Sequence, residues 1–139
     1  MMIGQYQHNL DAKGRLIMPQ KFREELGTEF IVTRGVDSCL FVYSKEEWEQ
    51  LAEKIRALPL SKGRDLQRFF FANAAEIECD GTGRALIPPN LRAYASLEKE
   101  VVVIGSGQRV EIWSKAAWEG ECSALTSDRV IDAMEEIGF

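Results

Sequence analysis

Two short stretches of this chain carry the same arrangement of ionisable residues. In LDAKGRLIMP, Asp11 precedes Gly14, Arg15 and Pro19; in CDGTGRALIPP, Asp80 precedes Gly83, Arg84 and Pro88. Paired aspartates on twin loops raise a catalytic possibility, a carboxylate dyad sharing one proton. Such a dyad needs its carboxyls within about 3 Å of each other in a dry cleft. Here an arginine four residues after each aspartate favours the ionised form and opposes a shared proton. The lone His8, with no serine or cysteine nucleophile placed beside it, gives no triad. No phosphate loop or dinucleotide fingerprint occurs, and metal ligands at usable spacing are missing. The pattern argues against an enzyme and calls for no cofactor, no metal and no small-molecule substrate.

The same residues suit a rigid turn that presents cations. An Asp opening a turn accepts N–H bonds from the residues two and three on, and Gly supplies a positive φ without steric cost. Asp11, Gly14, Asp80 and Gly83 are therefore expected to structure the two turns. Arg15 and Arg84 leave those turns on short strands, where a guanidinium can contact phosphate or read guanine bidentately in the major groove. Lys13, Lys21 and Arg23 add positive charge around the first turn. Thr82 and Asn90 stand where the first copy has Lys13 and Lys21. The first copy thus reads as the better DNA-facing one and the second as scaffold.

These turns belong to a longer internal repeat. A shift of 69 aligns Asp11 through Arg23 with Asp80 through Arg92, and a shift of 70 aligns Val32, Gly35, Ser44 and Trp48 with Val102, Gly105, Ser114 and Trp118. Each copy reads as a strand, the turn, a short strand, a Pro-opened helix and a hairpin, followed by a longer helix. Ser44 with Glu47 forms a capping box for the helix over KEEWEQLAEKIRAL; Ser114 lacks the matching Glu, since Ala117 stands there. Trp48 and Trp118 anchor these helices on the sheet. LPLSKGRD reads as a linker, LQRFFFANAA as a helix with Leu66, Phe69 and Phe70 in one stripe, and SDRVIDAMEEIGF as a C-terminal amphipathic helix ending at Phe139. The organisation expected is a first repeat with its helix over 1–58, linker and helix over 59–75, and a second repeat with C-terminal helix over 76–139. Two such units can pair about a pseudo-two-fold axis and close each other's sheet edges as a small antiparallel barrel with interleaved hairpins.

Bulk properties narrow the class further. The net charge is −5, but residues 98–139 hold nine acids against four bases, which leaves residues 1–97 with thirteen of each. A basic face in the first part of the chain is compatible with that balance. Cys39, Cys79 and Cys122 are odd in number and widely spaced, which reads as three small buried hydrophobes in a reducing cytoplasm. The N-terminus has no apolar signal-peptide core and no stretch is apolar enough to span a membrane.

The segments LDAKGRLIMPQKFRE, CDGTGRALIPPNLR and WSKAAWE, at this repeat spacing and length, resemble the MraZ family over essentially the whole chain. The resemblance implies two tandem swapped-hairpin units of the AbrB and MazE type, forming one pseudo-two-fold, double-split β-barrel flanked by helices. This is a mainly β fold with helices, in the α+β class. It also implies a cytoplasmic, nucleoid-associated regulator of the cell division and cell wall gene cluster, which binds short direct repeats of double-stranded DNA in its own promoter region and assembles as a homo-oligomeric ring. The motif positions carried over are Asp11 and Arg15 with Asp80 and Arg84; Lys13, Lys21 and Arg23 rest on local charge alone. The alternative is a ring-forming scaffold for protein partners in which the arginines serve only Asp–Arg pairs. An antitoxin-like DNA binder fits less well, because such proteins carry a disordered toxin-binding tail where this sequence reads as a helix.

Overall fold

The computed structural model describes residues 1–138, so Phe139, where the sequence reading ends the last helix, lies outside the described residues. The first repeat contributes β1 (Met2–Asn9), β2 (Arg15–Ile17), α1 (Gln20–Leu26), β3 (Glu29–Arg34), β4 (Leu40–Ser44) and α2 (Lys45–Arg56). Next comes α3 (Leu60–Leu66), which runs into a π-helical turn over Gln67–Phe71. The second repeat contributes β5 (Ala75–Glu78), β6 (Arg84–Leu86), α4 (Pro89–Tyr94), β7 (Glu100–Gly107), β8 (Val110–Ser114) and α5 (Lys115–Ala124), and α6 (Ser127–Glu135) closes the chain. The fold is α+β, mainly β with flanking helices.

The strands are exchanged between repeats. A six-stranded antiparallel sheet runs β1-β7-β8-β4-β3-β5, and β2 pairs with β6 in a separate two-stranded ribbon. The first strand of each repeat therefore pairs with the third strand of the other. A pseudo-two-fold axis passes between Phe41 and Glu111, which face each other at the centre of β4–β8, and between Leu16 and Ala85, which do so in the ribbon. Neither repeat could bury its own strand edges alone, and the exchange pairs edges of each with the other.

Alternation along the strands sorts side chains into two cores. One face of the sheet buries Phe30, Val32, Val101 and Val103 against Leu16, Met18, Phe22, Ala85, Ile87 and Leu91 from the ribbon, α1, α4 and the turns between them. The other face buries Phe41, Tyr43, Val102, Ile104 and Trp113 under Trp48, Phe70 and Trp118. Covered on both faces, β3, β4, β7 and β8 read as continuous apolar runs rather than alternating ones. Each fully buried Phe or Leu here is worth roughly 1.5–3 kcal/mol, which is why the ribbon lies firmly on the sheet.

Structure corrects five details of the sequence reading. Val32 is matched by Val103, not Val102: Phe30 pairs with the cap residue Ser44 as Val101 pairs with Ser114. A one-residue slip would exchange the two faces, and the longer α4–β7 connection absorbs the difference. The supposed linker is mostly helix, because Pro59 sits at the N-cap and α3 begins at Leu60. The aromatic stripe continues as a π turn, which turns Phe70 against Phe41 and Phe71 against Trp48. Of the cysteines only Cys39 is buried; Cys79 is half-buried, and Cys122 is exposed on a helix of which no residue is fully buried. Both serines cap their helices, Ser44 Oγ accepting from Glu47 N at 3.2 Å and Ser114 Oγ from Ala117 N at 3.1 Å, but among the described residues no bond to the Glu47 carboxylate completes a capping box. No described helix is long and apolar enough to cross a membrane.

Candidate nucleic-acid interface

Each Asp-x-x-Gly-Arg turn is built around its carboxylate. Asp11 Oδ1 accepts from the N–H groups of Lys13 (2.9 Å) and Arg15 (2.8 Å), while Oδ2 accepts from Arg15 Nε at 2.7 Å. Asp80 repeats this with Thr82 N (2.9 Å), Arg84 N (3.0 Å) and Arg84 Nε (2.8 Å), and gains the Thr82 hydroxyl at 2.8 Å. These donors hold both carboxyls below the ordinary aspartate range, the backbone N–H of the arginine contributing most in each case. Asp11 accepts three hydrogen bonds and Asp80 four, the second backbone donor in each turn being the residue four on, and this favours the ionised carboxylate and opposes a shared proton.

The two turns and the ribbon are locked into one unit across the repeats. Met18 N donates to Gly83 O and Ile87 N to Gly14 O, each at 3.0 Å. Gly14 (φ +86°) and Gly83 (φ +82°) occupy the left-handed region, and each is covered by an arginine of the opposite repeat. A Cβ on Gly14 would lie 2.6 Å from the Arg92 guanidinium carbon, and one on Gly83 would lie 2.7 Å from that of Arg23. Those arginines are themselves pinned, Arg23 Nε donating to Met18 O at 3.0 Å and Arg92 Nε to Ile87 O at 2.9 Å.

This arrangement separates the basic residues by role. Arg15 and Arg84 lie on the outward face of the ribbon, on the two strands flanking the axis. Their ion pairs are more than a quarter exposed and contribute little stability. The pairs instead fix each guanidinium through Nε and leave its terminal nitrogens without an acceptor among the described residues. Lys13 is exposed at the tip of the first turn and lines a groove of about 510 Å³ with Leu86, Pro88 and Arg92. Lys21 is exposed on α1, whereas Arg23 is half-buried against the opposite turn. The split into a reading copy and a scaffold copy does not match the strand pairing, since Arg15 and Arg84 share one ribbon. Sequence reasoning assigned nothing to Arg92, although the repeat aligned it with Arg23. It also passed over Ile17 and Leu86, whose outward position follows from the alternation in RLI and RAL about buried Leu16 and Ala85.

Among the described residues, no group of three or more His, Cys, Asp or Glu side chains could hold a metal ion. Burial pushes the Cys39 thiol up to about 12, leaving it inert at neutral pH.

Comparison with known proteins agrees with the repeat. The family described as "MraZ protein, putative antitoxin-like" matches twice, over residues 1–68 and 70–135. Proteins named "Transcriptional regulator MraZ" align over the full length of both chains: one from Acetivibrio thermocellus at 58% identity, one from Caldicellulosiruptor bescii at 53% and one from Alkaliphilus metalliredigens at 51%. With both repeats matched and full-length relatives above half identity, this chain belongs to the MraZ family.

Proposed function

We propose that this protein is a DNA-binding transcriptional regulator that lays the β2–β6 ribbon into the major groove. The observation that carries the reading is the cross-repeat ribbon itself, with Arg15 and Arg84 at diagonal corners of its outward face, each tethered by its own aspartate. Three residues per strand make a ribbon roughly 10 Å long, and a two-stranded ribbon fits a major groove about 12 Å wide. Charge supports the same face. Segments 11–23 and 80–92 hold six bases (Lys13, Arg15, Lys21, Arg23, Arg84, Arg92) against two acids, on a chain of net charge −5. Full-length relatives bear the name transcriptional regulator, which supports reading this chain as a regulator rather than an enzyme.

The finer reading is that the protein acts as a homo-oligomeric ring on direct repeats upstream of the cell division and cell wall gene cluster, in the cytoplasm at the nucleoid. One short ribbon on an acidic chain is a weak binder. A ring presents many ribbons at fixed spacing, and linked contacts can raise avidity by roughly two to four orders of magnitude. Subunits related by rotation suit direct repeats.

The test is fluorescence anisotropy on a duplex from upstream of the protein's own gene, for wild type, Arg15→Ala and Arg84→Ala over a salt series. Wild-type log K should fall with log salt by about 0.9 per phosphate neutralised, and each variant should bind at least tenfold more weakly while oligomer mass stays unchanged by light scattering. Equal binding by all three proteins, or a flat salt response, overturns the ribbon reading in favour of another surface. No binding by any of them favours a protein-partner scaffold.

A further inference from the structure

The outward face of the ribbon carries an apolar side chain opposite each arginine, and we propose that Ile17 and Leu86 read the 5-methyl groups of thymines beside the bases met by Arg84 and Arg15. This rests on the DNA-binding reading above and adds a specificity element to it. In the ladder Arg15 faces Leu86 and Ile17 faces Arg84 across the central pair Leu16–Ala85. Leu16 and Ala85 are fully buried, yet Ile17 is 47% and Leu86 53% exposed. Every outward position of this ribbon is therefore either an arginine or a bare aliphatic side chain, and the pseudo-two-fold repeats the choice in both copies.

Strand propensity alone could account for one exposed Ile. It does not account for a second aliphatic residue at the equivalent place, since a polar β-former such as Thr would serve without leaving apolar surface in water. Directly opposed side chains in an antiparallel pair have Cβ atoms about 4.5–5.5 Å apart, and base pairs rise about 3.4 Å. An arginine and the aliphatic group across from it thus reach the same or adjacent base pairs. Arginine is matched to guanine O6 and N7, and the apolar feature on the floor of the major groove is the thymine methyl. Leu86 also walls a groove with Pro88 and Pro89, which Lys13, Arg92, Glu76 and Glu78 line as well.

The experiment replaces thymines one at a time by deoxyuridine, which lacks only the methyl, in the duplex from upstream of the gene. Because the change is in the DNA, the folded state of the protein is untouched. Wild type should lose about fourfold in affinity at one or two positions, the effect of one buried methyl. Ile17→Ala or Leu86→Ala should show the same loss on the unmodified duplex and no further loss at the matching deoxyuridine. If binding requires Arg15 but no deoxyuridine position weakens it, the thymine inference fails and the ribbon reading stands. If a methyl matters equally to wild type and both alanine variants, some other side chain reads it and the inference fails. If nothing binds in an Arg15-dependent way, both fall together.

Discussion

Gly14→Ala tests whether the turn glycines are fixed by the opposite repeat or only by their own turn. The residue stands at φ +86°, and an added Cβ would approach the Arg92 guanidinium carbon to 2.6 Å. Left-handed backbone costs a non-glycine residue roughly 1–2 kcal/mol. The contact itself is relieved by moving the end of a flexible side chain, so its cost is the bond that Arg92 Nε gives to Ile87 O at 2.9 Å. A hydrogen bond from a charged group is worth about 1.5–3 kcal/mol, and the half-exposed setting argues for the lower end. The expected loss is about 3 kcal/mol in all, a fall in Tm on the order of 10 °C for a chain of this size. A double-mutant cycle separates the two parts. In an Arg92→Ala background only the backbone strain remains, so Gly14→Ala should cost about 1–2 kcal/mol there, measured by urea unfolding at fixed protein concentration. Gly83→Ala with Arg23→Ala should give the same coupling, because the axis repeats the contact at 2.7 Å. Strict additivity in both cycles would refute the claim that the turns are braced across the repeats.

Three further outcomes follow from the same geometry. The depressed Asp11 and Asp80 carboxyls stabilise fully above the unfolded aspartate value of about 4 and lose that contribution as pH falls through their lower native values. Urea midpoints should therefore be indifferent to these groups between pH 5 and 8 and drop below pH 4, and Asp11→Asn with Asp80→Asn should flatten that acid limb; an unaltered limb would contradict it. Glu111 lies buried on the axis, accepting from Arg109 Nη2 at 2.8 Å and Trp113 Nε1 at 3.0 Å, while Arg109 lies 3.9 Å over the Phe41 ring. Glu111→Gln keeps an acceptor for the indole but unpairs the arginine, and should cost about 1–3 kcal/mol in equilibrium unfolding. Arg15→Lys keeps the charge but loses the fork held by Asp11, so anisotropy should show discrimination against altered operator bases falling by about 1–3 kcal/mol at the affected position while the salt slope changes by less than one.

The sequence by itself determined the repeat, the turns and the caps. Those features depend on residues close together along the chain: an Asp whose own downstream N–H groups it accepts, a Gly that tolerates a positive φ, a Ser at a helix start. The order of strands and helices within each copy was legible for the same reason, and so was the family. Tertiary structure alone decided which strands meet. Nothing local says that β1 pairs with β7 rather than with a strand of its own repeat, or that Arg15 and Arg84 end on one ribbon instead of on separate reading and scaffold copies. It also decided the face of each strand: the alignment placed Val102 with Val32, and only the pairing to Ser114 put Val103 there instead. Arg23 illustrates the limit most directly. Its charge and position marked it with Lys13 and Lys21, but the space above Gly83, sixty residues away along the chain and adjacent in the fold, draws its guanidinium inward. Long-range pairing is set by which edges and apolar faces can be covered together, a property of the whole chain that no short window contains.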